Sequence, residues 1–173
     1  SSAQWVIGPR TGSKTLDFAI PSELPPGPLQ TLLPFKVLEV DSLRPSLQPS
    51  TTLGGVSGIA LHWREHLETR DGVEVLARFD DGWPAVVARD RVRYASAWFD
   101  PPLHRALLEA AARDASLHPV HLPEGVRIRR RGPLTFAFNF GAQAVEAPAP
   151  ANARFVLGSR TLGTADVCVW TQA

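Results

Sequence analysis

The feature that most constrains this chain is a short apolar stretch near residue 1 that breaks abruptly into a turn. Trp5 to Ile7 form the apolar stretch, and Gly8, Pro9 and Gly12 shape the turn that follows. A strand this apolar is typical of one that pairs with neighbours on both sides. Because only four residues precede it, we expect residue 1 to lie inside a domain of a longer protein.

The composition predicts a globular chain with one ordinary domain and one small domain. The chain has 173 residues, of which 44% are hydrophobic, and a domain usually holds roughly 100 to 200 residues. Its formal net charge is only +1, which gives no overall attraction to nucleic acid or to an anionic membrane surface. No apolar run approaches the roughly 18 residues that a membrane-spanning helix needs. We therefore expect no nucleic-acid partner and no membrane partner.

The single cysteine, Cys168, limits the covalent chemistry of the chain. One thiol cannot form an internal disulfide or a multi-thiolate metal site. Disulfides are rare in reducing compartments, so this cysteine usage fits a cytoplasmic protein, and we expect that location.

Prolines define an arm after the first turn. Leu16 to Ile20 alternate briefly between apolar and polar residues, and prolines then follow at positions 21, 25, 26 and 28. Each proline lacks a backbone N–H and disfavours the helical conformation in the residue before it. We therefore expect an extended arm without a helix, which lies over another domain or subunit because its leucines have no regular core pattern.

Alternating apolar residues predict strands between the arm and residue 89. The predicted strands are residues 35–43, 57–67, 73–79 and 84–88, and the prolines and glycines of residues 44–58 indicate a loop. Asp-Gly pairs at 71–72 and 81–82 are hairpin turn signals. We expect a meander of three strands from about residue 57 to residue 89.

One helix is predicted after the meander. Asp100 is placed to cap its first turn and Pro101 suits its first position. Apolar residues then recur at spacings of three and four, which gives one apolar stripe that must pack on a sheet. The stripe consists of Leu103, Ala106, Leu107, Ala110 and Ala111. Residues 1–122 are therefore expected to form an α/β section.

Every segment after residue 125 has the pattern of a strand. The segments are residues 126–130, 134–140, 144–147, 154–157 and 167–171, with glycine or proline between them. Short strands with turn signals between them are typical of a small antiparallel sheet or sandwich. We expect an all-β domain over residues 123–173.

A possible metal motif lies in the second predicted strand. His62, Glu65 and His66 fit the His-x-x-Glu-His pattern of zinc peptidases, in which both histidines bind the metal from one face of a helix. Leu61 and Trp63 alternate toward the motif as a strand does, and on a strand the two histidines are too far apart to chelate one ion. We expect no metal site here.

The other chemical patterns are incomplete. Ser57 lacks the final glycine spacing of a hydrolase elbow, and Ser13 is followed by the proline-rich arm where a helix is needed. Residues 8–14 are one residue short of a phosphate loop, and no helix follows them. Cys168 lies on a predicted strand whose alternation indicates burial. We therefore expect no catalytic, cofactor-binding or metal-binding residue in this chain.

Five segments resemble the later part of the family 42 glycoside hydrolases, the bacterial β-galactosidases. They are residues 8–15, 24–30, 75–87, 122–126 and 129–132, and they extend over nearly the whole chain. In that family a catalytic barrel comes first, then an α/β domain similar to a class I glutamine amidotransferase that holds a trimer together, then a small β domain. The resemblance implies that residues 1–122 are the remainder of the trimerisation domain and residues 123–173 the C-terminal β domain.

The resemblance also implies what the chain lacks. The family hydrolyses terminal β-D-galactosides with retention, using two glutamates at the ends of barrel strands, of which the acid/base follows an asparagine. No glutamate of this chain follows an asparagine. The resemblance therefore implies a non-catalytic fragment without a cofactor. Its partners would be the parent's barrel domain and further copies in a homo-oligomer, and it would meet the galactoside only through the parent.

A competing interpretation is an independent carbohydrate-binding or protein-interaction module. Phe136, Phe138 and Phe140 share one face of a predicted strand, where exposed rings could stack on sugars. A face without polar partners is more typical of a core, so we expect these rings to be buried. Five other aromatic residues are candidates for interface anchors or for plain core positions: Trp5, Phe35, Trp63, Trp83 and Trp98.

Overall fold

The computed structural model describes residues 3–171. The chain divides into two compact units, residues 1–119 and residues 120–173. The first unit holds eight strands, one 3-10 helix and one α-helix within the described residues, and the second holds six strands. No described helix is long and apolar enough to cross a membrane. A mixed α/β segment thus precedes an all-β one, as predicted.

The elements of the first unit follow one another in this order: β1 Trp5–Ile7, a 3-10 helix Gly27–Thr31, β2 Phe35–Ser42, β3 Ser50–Leu53, β4 Val56–Thr69, β5 Glu74–Arg78, β6 Pro84–Arg89, β7 Val92–Ala95, β8 Ala97–Phe99 and α1 Pro101–Asp114. They form two sheets. One has the strand order β1-β7-β6-β5, and in the other the long β4 pairs with β2, β3 and β8.

The first apolar stretch forms the predicted strand and pairs with one neighbour among the described residues. β1 runs parallel to β7, with Trp5 opposite Val92 and Ile7 opposite Tyr94. Within residues 3–171 it has a partner on this side only and is an edge strand, and Trp5 is 60% exposed. One of the two predicted neighbours is thus present, and pairing on the other side stays a prediction. The remaining pairs of this sheet are antiparallel.

The meander is shifted along the chain relative to the prediction. β5, β6 and β7 form it, with the Asp81-Gly82 turn between its first two strands, whereas β4 belongs to the other sheet. The predicted hairpin across residues 70–72 is wrong. One physical reason is that β2 and β8 already take up hydrogen-bonding groups of β4, so the chain after residue 72 starts a second sheet.

The predicted loop at residues 44–58 contains a strand. β3 pairs with the beginning of β4 in a hairpin whose loop is Gly54 and Gly55, with Leu53 opposite Val56. Both glycines have positive φ, 58° and 85°, which a two-residue hairpin turn requires and which glycine adopts without strain. The Gly-Gly pair was therefore a hairpin signal rather than a sign of irregular chain.

The proline-rich arm contains one short helix, contrary to the prediction. The 3-10 helix Gly27–Thr31 has a proline in its first turn, where the missing N–H costs nothing. The prolines exclude a longer α-helix but permit this single turn.

The α-helix has the predicted start and the predicted buried stripe. Oδ1 of Asp100 accepts a hydrogen bond from the N–H of Leu103, and α1 has a proline in its first turn. Leu103, Leu107 and Ala111 are buried, and the two leucines belong to a core cluster with residues of β3, β4 and β6.

The second unit is antiparallel throughout, as predicted. Its elements are β9 Val126–Arg131, β10 Leu134–Asn139, β11 Val145–Glu146, β12 Arg154–Leu157, β13 Thr161–Leu162 and β14 Asp166–Thr171. The order of the main sheet is β12-β14-β10-β9, and β11 pairs with β13. β13 lies between two predicted strands, in a segment that was not predicted as a strand. The core cluster of the second unit includes Ala137, Leu162, Cys168 and Trp170.

Candidate interaction surface

A buried carboxylate holds the loop after β1. Glu65 is only 2% exposed, and its carboxylate accepts hydrogen bonds from the hydroxyl of Tyr94 at 2.7 Å and from the backbone N–H of Arg10 at 2.7 Å. The indole N–H of Trp63 lies 3.4 Å from the same carboxylate. Burial raises the pKa of Glu65, while the hydrogen bonds act in the opposite direction. No local pattern in the sequence indicated this role.

The loop itself has a fixed shape. Arg10 has a positive φ of 68°, and its guanidinium lies over the ring of Trp63 at 5.0 Å from the centroid. The hydroxyl of Thr11 donates to the carbonyl of Gly8 at 2.7 Å, and the hydroxyl of Ser13 donates to the carbonyl of Arg10 at 2.7 Å. The side chain of Ser13 therefore stabilises the turn.

A close backbone contact joins this loop to the far end of the arm. A Cβ on Gly12 would lie 2.2 Å from the carbonyl oxygen of Pro26, and Gly12 has a φ of 72°. Only glycine fits this position. The carbonyl of Pro25 accepts a hydrogen bond from the N–H of Val37 in β2 at 2.8 Å. Both ends of the arm are therefore tied to the first unit.

Between these ends lies the exposed apolar part of the proline-rich arm, residues 15–24, and from here on the arm means this part. Leu16 is 99% exposed, Phe18 is 83% exposed and Ile20 is 80% exposed. The N–H of Phe18 donates to the carbonyl of Thr15 at 3.0 Å, and the N–H of Thr15 donates to the carbonyl of Ala19 at 2.9 Å. The arm is thus a hydrogen-bonded turn that presents large apolar side chains.

A charged cluster stabilises the middle of β4. Arg64 is 8% exposed and forms ion pairs with Asp41 and Asp81, and its guanidinium lies 5.4 Å from the centroid of Phe79. The hydrogen bond from His66, together with Arg64, lowers the pKa of Asp41. The cluster connects β2, β4 and the turn between β5 and β6.

The possible metal motif lies on a strand, as predicted. His62 is exposed, whereas His66 is buried, with its Nε2 2.8 Å from Oδ2 of Asp41 and its ring 4.6 Å from that of Trp83. Glu65 is engaged in the contacts described above. Among residues 3–171, no group of three or more histidine, cysteine or acidic side chains is placed to hold a metal ion.

The two remaining nucleophile candidates have structural surroundings. Oγ of Ser57 lies 2.8 Å from Oγ1 of Thr52 across the β3–β4 hairpin. Cys168 is fully buried in the core of the second unit, and burial raises the pKa of its thiol. A raised pKa disfavours the thiolate, which is the reactive form. The candidate nucleophiles therefore occupy positions that suit packing and turns.

The phenylalanines of β10 lie on the opposite face from the one predicted. Phe136 and Phe138 are only partly buried, and Phe140 is 74% exposed. The buried face of β10 carries smaller residues: Thr135, Ala137 and Asn139. The prediction of a phenylalanine core is therefore wrong. The core of this unit is already occupied by Trp170 and Leu162 from other strands, so it accepts the small side chains of β10.

The three rings lie in a row with nearly parallel planes. Neighbouring centroids are 6.4 Å and 6.2 Å apart, with interplanar angles of 8° and 17°. A sugar ring stacks on an exposed ring, and Phe140 is the most exposed of the three.

The other aromatic candidates divide into core and surface. Phe35 is fully buried against Tyr94, with ring centroids 4.6 Å apart. Trp63 and Trp83 are partly buried. Trp5 and Trp98 are 60% and 48% exposed. Only these last two retain the surface that an interface anchor needs.

Two family models together match nearly the whole chain. The model described as the β-galactosidase trimerisation domain matches residues 1–118, and the model described as the β-galactosidase C-terminal domain matches residues 125–172.

Individual relatives are similar over the same extent. β-Galactosidase BgaA of a Thermus species is 49% identical over 169 residues, which are 97% of this chain and 26% of that protein. A β-galactosidase of Thermus thermophilus has the same identity and coverage. The crystal structure of β-galactosidase from the psychrophilic Marinomonas ef1 matches with a TM-score of 0.90 at 39% identity, covering 98% of this chain and 26% of that one.

The chain thus spans about a quarter of the length of these relatives and matches their C-terminal part. Both family models match in the order in which the two units occur along the chain. The trimerisation model alone covers more than half of the residues, and the Thermus relatives are similar over nearly all of them. This chain therefore belongs to the family 42 β-galactosidases and carries their trimerisation and C-terminal domains.

Proposed function

We propose that this chain is the non-catalytic C-terminal segment of a β-galactosidase and that it supports assembly of a homotrimer. The observation that carries the proposal is the match of the two family models in sequence, trimerisation domain first, to a chain that spans 26% of its relatives. The parent enzyme would hydrolyse terminal β-D-galactosides with retention of configuration.

The catalytic residues belong, in this proposal, to a barrel domain outside the 173 residues. Retaining hydrolysis needs two carboxyl groups roughly 5 to 5.5 Å apart, one as nucleophile and one as acid/base. The most buried acidic side chain described here, Glu65, instead binds the hydroxyl of Tyr94 and the backbone of Arg10. Its surroundings suit a structural carboxylate.

The segment would contribute to the activity of the parent enzyme by positioning the subunits of the trimer. A trimer fixes neighbouring subunits so that their surfaces wall the substrate cleft of the barrel, which favours binding in a productive orientation.

We place the parent in the cytoplasm, because a single cysteine fits a reducing compartment. Fractionation of source cells followed by immunoblotting with an antibody against this chain tests that location.

The assembly function is tested by measuring the mass of the purified chain in solution. Light scattering coupled to size-exclusion chromatography is expected to give three times 18.8 kDa at high protein concentration, with dissociation on dilution. A mass of 18.8 kDa at every concentration would contradict the proposal that this segment drives assembly.

A second candidate function is a carbohydrate-binding module, and the outward phenylalanines of β10 are the observation that favours it. Phe140 is 74% exposed and lines a groove of about 600 Å³ with Glu124, Arg127 and Gln143. Retention of the chain on immobilised galactan, abolished by Phe140→Ala, would support this function. We expect no retention, because Phe136 and Phe138 are partly buried and leave Phe140 as the one strongly exposed ring of the three.

A further inference from the structure

The arm exposes more apolar surface than a folded chain usually leaves uncovered in so short a segment. Isolated exposed hydrophobic residues are common, but contiguous ones mark interaction sites. Leu16, Phe18 and Ile20 are each at least 80% exposed and are separated by one residue. Asp17 and Glu23 lie within the segment and Lys14 directly precedes it, which gives an apolar centre with charged neighbours.

The first unit holds this segment in a defined position. Glu65 fixes the loop before it through the backbone of Arg10, and Gly12 contacts Pro26 beyond it. Within the arm, the N–H of Ala19 also donates to the hydroxyl of Thr15 at 3.1 Å. Such preorganisation lowers the entropy that is lost when a partner binds.

Phe18 has a backbone conformation that its side chain disfavours. Its φ is 61°, in the left-handed region, which asparagine or glycine adopts more readily than an aromatic residue. Strained residues of this kind cluster at functional sites, where the surrounding structure maintains them. A polar residue would suit the isolated turn better, so the phenyl ring points to a contact outside the described chain.

We propose that the arm is a contact between two copies of this chain, with Leu16, Phe18 and Ile20 covered by the second copy. This proposal rests on the proposed assembly function and names the surface that carries it out. The second copy is the occupant because residues 1–118 match a trimerisation domain. A closed trimer joins two different surfaces of neighbouring subunits, and an exposed apolar arm suits one of those surfaces.

The variant Phe18→Asn tests the arm without threatening the fold. Asparagine tolerates the positive φ, so the thermal midpoint of the dissociated chain is expected to stay the same or rise. Loss of the ring is expected to weaken association about 10- to 100-fold, measured by sedimentation velocity over a dilution series. Leu47→Asn is the matched control, because Leu47 is 67% exposed on another loop of the same unit, and we expect it to associate like the unmodified chain.

The outcomes separate this proposal from the one on which it rests. If the unmodified chain never associates, both the assembly function and the arm contact fail. If Phe18→Asn associates as strongly as the unmodified chain, the arm contact fails and the assembly function stands. If Leu47→Asn weakens association as much as Phe18→Asn, the effect is general and the arm contact also fails.

A photo-crosslinking amino acid in place of Phe18 gives an independent readout. Benzoylphenylalanine keeps an aromatic ring at this position and reacts with whatever covers it. We expect irradiation to join chains from a mixture of isotopically light and heavy protein. Crosslinks confined to one chain would overturn the proposal, because the ring would then be covered from within the same copy.

Discussion

The backbone N–H of Arg10 lies 2.7 Å from Oε1 of Glu65, fifty-five residues further along the chain. The other oxygen of the same carboxylate accepts the hydroxyl of Tyr94. Glu65 belongs to β4 and Tyr94 to β7, so one buried carboxylate joins the loop after β1 to both sheets of the first unit. The position of the arm therefore depends on a residue far from it in sequence.

Removing this carboxylate is expected to destabilise the first unit. Glu65→Ala leaves the buried hydroxyl of Tyr94 without its acceptor and frees the Arg10 loop, which we expect to cost about 2 to 4 kcal/mol of unfolding free energy. Urea unfolding measures this loss. Glu68→Ala, at an exposed position of the same strand, is the control and should cost less than about 0.5 kcal/mol. Equal losses in the two variants would contradict the role assigned to Glu65.

Glu65 is also expected to make stability depend on pH. Burial raises its pKa in the folded state, so between the ordinary and the raised value the folded chain holds a proton that the unfolded chain has released. The stabilisation is therefore fully present below the ordinary pKa and is lost as the pH rises through the raised one. Unfolding of Glu65→Gln, measured from pH 4 to pH 8, should lack this decline. A parallel decline in both proteins would rule Glu65 out as its source.

The close contact between Gly12 and Pro26, which lie on either side of the arm, can be tested by substitution. Gly12→Ala places a Cβ 2.2 Å from the carbonyl oxygen of Pro26 at a positive φ, and we expect it to lower the unfolding free energy by about 2 kcal/mol or more. Gly8→Ala is the matched control, because a Cβ there meets no atom within 4 Å. Thermal unfolding of both variants checks the contrast, which disappears if the loop does not pack on Pro26.

Neighbouring leucines of α1 test which face of the helix supports the sheet. Leu107 is 1% exposed and Leu108 is 48% exposed. Leu107→Ala is expected to cost about 2 to 5 kcal/mol because it leaves a cavity, whereas Leu108→Ala should cost less than about 1 kcal/mol. Guanidinium unfolding compares the two. A larger loss for Leu108→Ala would mean that the helix packs by another face.

Local patterns in the sequence predicted the elements whose causes are local. The Asp100 cap, the leucine stripe of α1 and the antiparallel second unit all follow from short-range spacing, and the structure has them. The prediction that β4 pairs with β5 was wrong for a non-local reason. Asp71-Gly72 is a valid turn signal, but β2 and β8, which lie far away in sequence, had already taken hydrogen-bonding groups of β4.

The interaction surface could be predicted only in part. The prolines predicted the arm, and its contact with another domain or subunit stays a prediction. Alternation indicated the wrong buried face of β10, because the larger apolar residues of this strand lie on its partly buried face. The face is decided by Trp170 and Leu162 from other strands. The role of Glu65 depends on Tyr94 and Arg10, which no local spacing connects to it.

The central claim is that this chain acts as the C-terminal part of a longer β-galactosidase. An antibody against the chain should capture, from source cells, a polypeptide about four times heavier than 18.8 kDa that hydrolyses nitrophenyl β-D-galactoside, since the chain spans 26% of its relatives. Capture of a polypeptide of 18.8 kDa without that activity would contradict the account and favour an independent binding module.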